Sequence, residues 1–171
     1  DLKWLGLEWD QLEYQSKRLD RYEEVKQKLI TMGRLYPCYE TQEELEVKKK
    51  FQLSRGLPPI YDRAALKLTT EQIEDYEKQG IKPYWRFLIT GNDISWYDGI
   101  KGQLTFRAAN ISDPVLIRAD GTMTYTIATV CDDIDMKVTD IIRGEDHISN
   151  SAIHIQIFEA LGATPPNFAH F

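Results

Sequence analysis

The feature that most constrains this chain is a change of hydrophobic period late in the sequence. Val138-Thr139-Asp140-Ile141-Ile142 is a short β-branched run, Arg143 closes it, and Gly144-Glu145-Asp146-His147 forms a polar turn. Ile153, Ile157, Phe158 and Leu161 then recur on one face of a helix. Strand, polar turn and helix make half of a βαβ unit, with the strand expected to be buried. Ser149 or Asn150 is placed to cap the helix, Gly162 to end it, and Pro165-Pro166 to prevent its continuation. Asn167 to Phe171 reads as the start of another strand, and a strand with no helix after it suggests an incomplete α/β fold here. Ligands in such folds bind beyond the carboxyl ends of strands, so Arg143 to His147 is the first place to look for chemistry.

The rest of the chain has a different texture. Leu19, Tyr22, Val25, Leu29 and Ile30 follow helical spacing, with Gly33 as a stop. Thr41-Gln42-Glu43-Glu44 fits a capping box, followed by a charged helix ending near Gly56. Leu57-Pro58-Pro59-Ile60 breaks the pattern, and Thr69-Thr70-Glu71-Gln72 opens a short helix closed by Gly80 and Pro83. Tyr84–Ile89, Ile94–Tyr97, Gln103–Phe106 and Val115–Arg118 then read as short antiparallel strands, with Asp120-Gly121 as a turn. The chain therefore reads as an α+β block followed by α/β.

A length of 171 residues suits one domain, or one domain carrying an insertion. The net charge is −6, and residues 119–171 carry all of it, with eight acids and two bases. That balance argues against a nonspecific nucleic-acid binder but leaves room for a local basic face. No apolar run is long enough for a membrane helix, and no signal segment opens the chain. Cys38 and Cys131 are too few for a disulfide framework, so a cytoplasmic location is expected.

Several residues carry candidate chemistry. Arg143 offers a planar donor fork suited to a carboxylate or phosphate, or else an internal ion pair with Asp140, Glu145 or Asp146. Asp132, Asp133 and Asp135 suit a hard cation, or form a helix terminus or exposed face. His147 is either an acid/base or base-stacking group, or a solvent-facing histidine at a helix start. Cys38 and Tyr61 lack the further Cys and His that zinc requires. Lys48-Lys49-Lys50 is a solvated face or, with Tyr36, Phe51, Tyr61, Tyr84 and Trp85, a contact for RNA backbone and end nucleotides.

Nearly end to end, the chain resembles the central part of bacterial glutamyl-tRNA synthetases, class I aminoacyl-tRNA synthetases. The carriers begin with Trp4-Leu5-Gly6-Leu7-Glu8-Trp9-Asp10, Gln15-Ser16-Lys17-Arg18, Pro37-Cys38-Tyr39 and Pro58-Pro59-Ile60-Tyr61-Asp62. They continue with Ser112-Asp113-Pro114-Val115-Leu116-Ile117-Arg118, Asp120-Gly121, Thr124-Tyr125 and Asp132-Asp133. Ile142-Arg143-Gly144-Glu145-Asp146-His147 and Phe168-Ala169-His170 complete them.

The resemblance implies an α/β fold: a partial Rossmann-type catalytic domain at residues 1–19 and 123–171, interrupted by an α+β acceptor-stem-binding domain at 20–122. It implies that L-glutamate and ATP, with Mg2+, form glutamyl-adenylate, and that the glutamyl group passes to the terminal adenosine of tRNA(Glu). By the same resemblance Arg143 pairs with the side-chain carboxylate of glutamate, Tyr125 and Thr129 line that pocket, and Asp146 and His147 lie near ATP. No residue here matches a catalytic one, and the parent enzyme is expected to be a monomer.

Departures from the family pattern matter as much. Some members hold zinc with Cys-x-Cys and Tyr-x-x-x-Cys; here Glu40 and Ala65 stand in two of those places, so no zinc is expected. The His-Ile-Gly-His and Lys-Met-Ser-Lys nucleotide motifs are absent from the 171 residues, so the isolated chain is not expected to activate glutamate. Alternatives are a stand-alone acceptor-stem RNA-binding module, the tRNA-modifying paralogue that glutamylates a base, and a glutaminyl enzyme.

Overall fold

Helix starts follow local capping chemistry. In the computed structural model, which describes residues 2–91 and 93–171, helix α1 runs Leu19–Thr31 and gives way to Gly33 at φ +68°. That left-handed cap is one that glycine adopts without strain. Helices α2 (Gln42–Ser54) and α3 (Thr70–Lys78) both begin with capping boxes, on Thr41 with Glu44 and on Thr69 with Gln72. Asp1, which opens the span 1–19, and Asn92, between the expected strands at Ile89 and Ile94, lie outside the described residues.

Two helices differ from expectation. Tyr125–Asp135, for which no element is expected above, is helix α4. Its signal was present: Ile127, Val130, Cys131 and Ile134 fall at i, i+3, i+4 and i+7. Helix α5 spans Ile148–Ala160, with His147 at its cap position and no side-chain cap bond, so Ser149 and Asn150 lie inside its first turn. Nor is α5 apolar on one face only; Ser151, Ala152, His154, Ile155, Ile157, Phe158 and Ala160 are all buried, as befits a helix covered on several sides.

Among the described residues seven strands form two sheets. Strands β1 (Leu35–Cys38), β2 (Tyr84–Phe87) and β5 (Val115–Ile117) are antiparallel in the order β1-β2-β5, and β1 was not foreseen. The second sheet has the order β4-β3-β7-β6, with β3 at Asp93–Asp98, β4 at Gly102–Arg107, β6 at Asp140–Arg143 and β7 at Asn167–His170. Strands β6 and β7 are parallel and joined through α5, which completes the βαβ unit begun at Val138. Strand β3 pairs in parallel with β7 and antiparallel with β4, so this sheet joins the middle of the chain to its last strand.

The expected buried strand at Val138–Ile142 needs correction. It occupies the sheet edge, and its alternating faces separate Ile141 and Arg143, half-buried, from Asp140 and Ile142, which face solvent. Ile142 is 71% exposed. The same alternation turns Arg143 inward. One core joins Tyr22, Val25 and Leu29 of α1 to the inner faces of α4, α5 and both sheets, giving the mixed α/β architecture that the sequence suggested. Among the described residues no helix is long and apolar enough to cross a membrane.

Candidate functional site

Helix α4 presents two polar faces of opposite character. On the face toward α1, Asp132 accepts from Arg18 Nε at 2.7 Å, Gln15 Nε2 at 2.9 Å and the Tyr22 hydroxyl at 2.9 Å. Asp135 pairs with Arg18 at 2.6 Å and Arg21 at 2.9 Å. These carboxylates are saturated by organic donors, so the metal reading of Asp132, Asp133 and Asp135 fails on geometry. The three do not converge, because each residue along a helix turns by about 100°.

On the other face Tyr125, Thr129 and Asp133 follow one another at i, i+4 and i+8, and β6 directs Arg143 toward the same region. Arg143 Nη2 donates to Ser151 Oγ, and its guanidinium lies 5.5 Å from the Phe168 ring centroid. Its Nε is buried without a partner. Burial lowers the Arg143 pKa below the ordinary guanidinium value, while Tyr125 and Asp133 act to hold the charge. Asp133 Oδ2 is also buried and unpartnered. Burial, then repulsion from Asp132, pushes its carboxyl up to about 6, against the pull of Arg143. His154 on α5 is fully buried, lies 6.0 Å from Tyr125 ring to ring, and finds no partner for either nitrogen. Burial, aided by Arg143 and His147, brings it down to about 3, so it sits there neutral.

The internal ion pair weighed against a ligand role for Arg143 does not form. Asp140 accepts from Asn167 at 2.9 Å, Glu145 pairs with Lys101 at 2.6 Å, and Asp146 lies 3.6 Å from His147. Among the described residues Arg143 has no carboxylate within ion-pair distance. Buried polar groups in folded proteins are nearly always satisfied, so a cluster that is not marks a place for a ligand or ordered water. A half-buried guanidinium without an anion selects a carboxylate or phosphate.

The other candidates fall outside this cluster to different degrees. Thr129 is half-buried on the Tyr125 face, and Tyr125 is 57% exposed at the helix start. Asp146 and His147 occupy the 3-10 turn Glu145–His147, with side chains 79% and 41% exposed. Gly144 has an ordinary φ of −64°; what it supplies is room, since a Cβ there would lie 2.5 Å from Asp146 Oδ1. Asp133 stood out in the sequence only as a possible cation ligand, and Ser151, His154, His170 and Asp98 carry no site signal there, because their partners arrive from distant elements.

The Cys38 region holds itself together differently. Glu40 accepts from the hydroxyls of Tyr61 at 2.7 Å and Tyr84 at 3.3 Å, and pairs with Lys48 at 3.4 Å. Burial pushes the Cys38 thiol up to about 11, away from the thiolate that zinc needs. This donor set does not fit zinc. Beside it a groove of about 440 Å³ is lined by Lys48, Lys49, Phe51, Tyr61 and Arg86, among others. Of the basic and aromatic residues singled out as a candidate RNA contact, Lys48, Lys49, Phe51 and Tyr61 line it, Lys50, Tyr84 and Trp85 do not, and Tyr36 is buried.

Comparison with known proteins adds identity to this geometry. The family described as tRNA synthetases class I (E and Q), catalytic domain, matches residues 1–171. Glutamate–tRNA ligase 1 of Rickettsia bellii (strain OSU 85-389) is 58% identical over 170 residues, which is 99% of this chain and 38% of that protein. The Rickettsia felis protein of the same name is 59% identical over the same length and coverage. The chain thus spans well under half of these relatives. A crystal structure of a glutamate tRNA ligase from Elizabethkingia meningosepticum in complex with its amino acid superposes with TM-score 0.88 at 28% identity, covering 99% of this chain and 37% of that one. The glutamate-tRNA synthetase of Elizabethkingia anophelis also gives TM-score 0.88 at 28% identity, with 99% and 38% covered.

Proposed function

The chain belongs to the class I tRNA synthetase family for glutamate and glutamine, catalytic domain, and on that premise we propose that it supplies the amino-acid pocket of a glutamate–tRNA ligase. In this reading the parent protein joins L-glutamate to ATP, taken up with Mg2+, as glutamyl-adenylate. It then passes the glutamyl group to the terminal adenosine of tRNA(Glu). The observation that carries the reading is Arg143: a half-buried guanidinium with one buried nitrogen unpartnered and, among the described residues, no carboxylate within ion-pair distance.

Arg143 binds the side-chain carboxylate of glutamate. Tyr125 and Thr129 line the approach along α4, and Asp133 faces the guanidinium without forming an ion pair. Neutral His154 keeps a second positive charge out of the cluster. Glutamine leaves Arg143 uncompensated, and an unpaired buried charge costs about 3–5 kcal/mol, on the order of a hundredfold to several thousandfold in selectivity. Asp146 and His147, on the exposed turn before α5, face the ATP side.

We assign residues 1–19 and 123–171 to part of a Rossmann-type catalytic domain and 20–122 to the inserted part that receives the tRNA acceptor stem, with β3 and β4 of the insertion adding to the catalytic sheet beside β7. The groove beside Lys48, Lys49 and Arg86 supports this assignment, since cations interleaved with aromatic rings suit a nucleic-acid backbone and its end bases. The protein works as a cytoplasmic monomer. The 171 residues contain neither nucleotide motif of class I enzymes, so the chain in isolation does not form adenylate. Pyrophosphate exchange tests both points. In the full-length protein Arg143→Ala raises KM for glutamate far more than KM for ATP, and the isolated chain gives no exchange. An equal loss for both substrates contradicts the pocket, and turnover by the chain alone contradicts the inactivity.

A further inference from the structure

We propose that Asp98, His170 and Ser151 form a positioning brace that holds the Arg143 guanidinium in its ligand-binding orientation. The role rests on the reading of Arg143 given above. The four residues come from four elements: Asp98 closes β3, His170 closes β7, Ser151 lies in the first turn of α5, and Arg143 closes β6. Asp98, His170 and Ser151 are each fully buried. Burying such groups is unfavourable unless every one is bonded, and here every one is.

The hydrogen bonds run in one direction. Asp98 accepts from the amides of Ile100 at 3.1 Å, Lys101 at 2.9 Å and His170 at 3.1 Å, and it also pairs with His170 Nδ1. Burial opposes its charge, but these donors outweigh burial and hold the carboxyl below its usual range. An ionised Asp98 fixes the ring proton on Nδ1, an assignment made from the bonding network. Nε2 then accepts from the Ser151 hydroxyl at 2.8 Å, in preference to the His147 carbonyl at 3.4 Å, which leaves the Ser151 oxygen to accept from Arg143 Nη2. The order is Arg143 to Ser151 to His170 to Asp98, with each hydrogen used once.

Carboxylate, imidazole and hydroxyl in this order also describe a hydrolase nucleophile. Ser151 cannot serve as one, since it has no solvent-accessible surface and its oxygen already accepts from Arg143. A positioning role fits every contact. The brace ties down one nitrogen of the guanidinium, the Phe168 ring supports the group at 5.5 Å, and the accessible part of the half-buried group is left for a ligand. Orienting a long side chain in advance removes ordering that binding would otherwise have to supply. The anchor is stiff: β7 sets His170 in register opposite Arg143, and Gly99 donates to the Phe168 carbonyl at 2.8 Å beside Asp98.

The test uses the full-length protein and pyrophosphate exchange. Ser151→Ala removes one oxygen and should raise KM for glutamate about ten- to a hundredfold, as small misplacements of a positioned group do. KM for ATP should not move. Ser151→Thr keeps the hydroxyl and should restore KM for glutamate, and Asp98→Asn should reproduce the alanine effect. If Ser151→Ala lowers Tm while KM for glutamate stays put, and Arg143→Ala still cripples glutamate use, the brace is overturned and the pocket stands. If Arg143→Ala leaves glutamate use intact, the pocket reading falls and takes the brace with it.

Discussion

Asp132 and Asp133 are neighbours on one helix and have opposite fates. Asp132 is enclosed by Arg18, Gln15 and Tyr22, with its side chain 11% exposed and its oxygens engaged. Asp133 looks across at Arg143 with an oxygen that has no partner and a carboxyl raised to about 6. Fastening helices α1 and α4 together is the work of the saturated face. The other face keeps its polar groups unsatisfied, which destabilises a fold unless something binds there. One turn of helix is thus divided between holding the protein together and leaving it ready for an anion.

This contrast can be broken from either side. The largest effect should come from Arg143→Ala in the full-length protein, a loss of about a hundredfold or more in kcat/KM for glutamate. Its Tm should be unchanged or higher, because an uncompensated buried charge has been removed; a clear drop in Tm would place Arg143 among the structural ion pairs. Asp132→Ala should do the reverse. It strands Tyr22 and Gln15, leaves Arg18 to Asp135 alone, and should cost about 3 kcal/mol of stability by denaturant unfolding, with KM for glutamate unchanged. A change in KM without loss of stability would erase the distinction between the faces.

The unsatisfied face also leaves a signature in pH. Folded Asp133 holds its proton up to about pH 6, against 3.8 for the free group, so its contribution to stability declines as pH rises through that window. His154 at about 3, against 6.5, contributes a decline as pH falls from 6.5 toward 3. Where the windows overlap the two slopes oppose each other. Asp133→Asn should therefore uncover stability that rises with pH in the overlap, and His154→Gln stability that falls. Two flat curves from unfolding measured across that range would remove both groups from the buried cluster. The smallest change expected is Thr41→Ala, distant from both faces, at about 1 kcal/mol from loss of its capping box.

Features set by local chemistry were legible in the sequence: the capping boxes at Thr41 and Thr69, the glycine stops, the hairpin strands, and the strand–turn–helix around Arg143. Helix α4 is readable from its apolar spacing, and of the two readings of its three aspartates, cation ligands or a helix terminus or face, the structure shows the helix. Only the fold shows that Asp132 and Asp135 face α1 while Asp133 does not. The edge position of β6 was hidden because an apolar run does not report which neighbours it has. Arg143 stands out by its place at a strand end, whereas Tyr125 and Thr129 enter only through the family resemblance. Asp98, His170 and Ser151 are separated by up to 72 residues along their contacts, and no local pattern joins them.

The most direct test of the account is a crystal structure of the full-length protein with L-glutamate or a non-hydrolysable glutamyl-adenylate analogue. The account predicts the ligand's side-chain carboxylate within about 3 Å of the Arg143 guanidinium, with Ser151 still bonded to Nη2 and Asp133 outside ion-pair distance. A guanidinium swung onto Asp133, with the ligand carboxylate bound elsewhere, would contradict it.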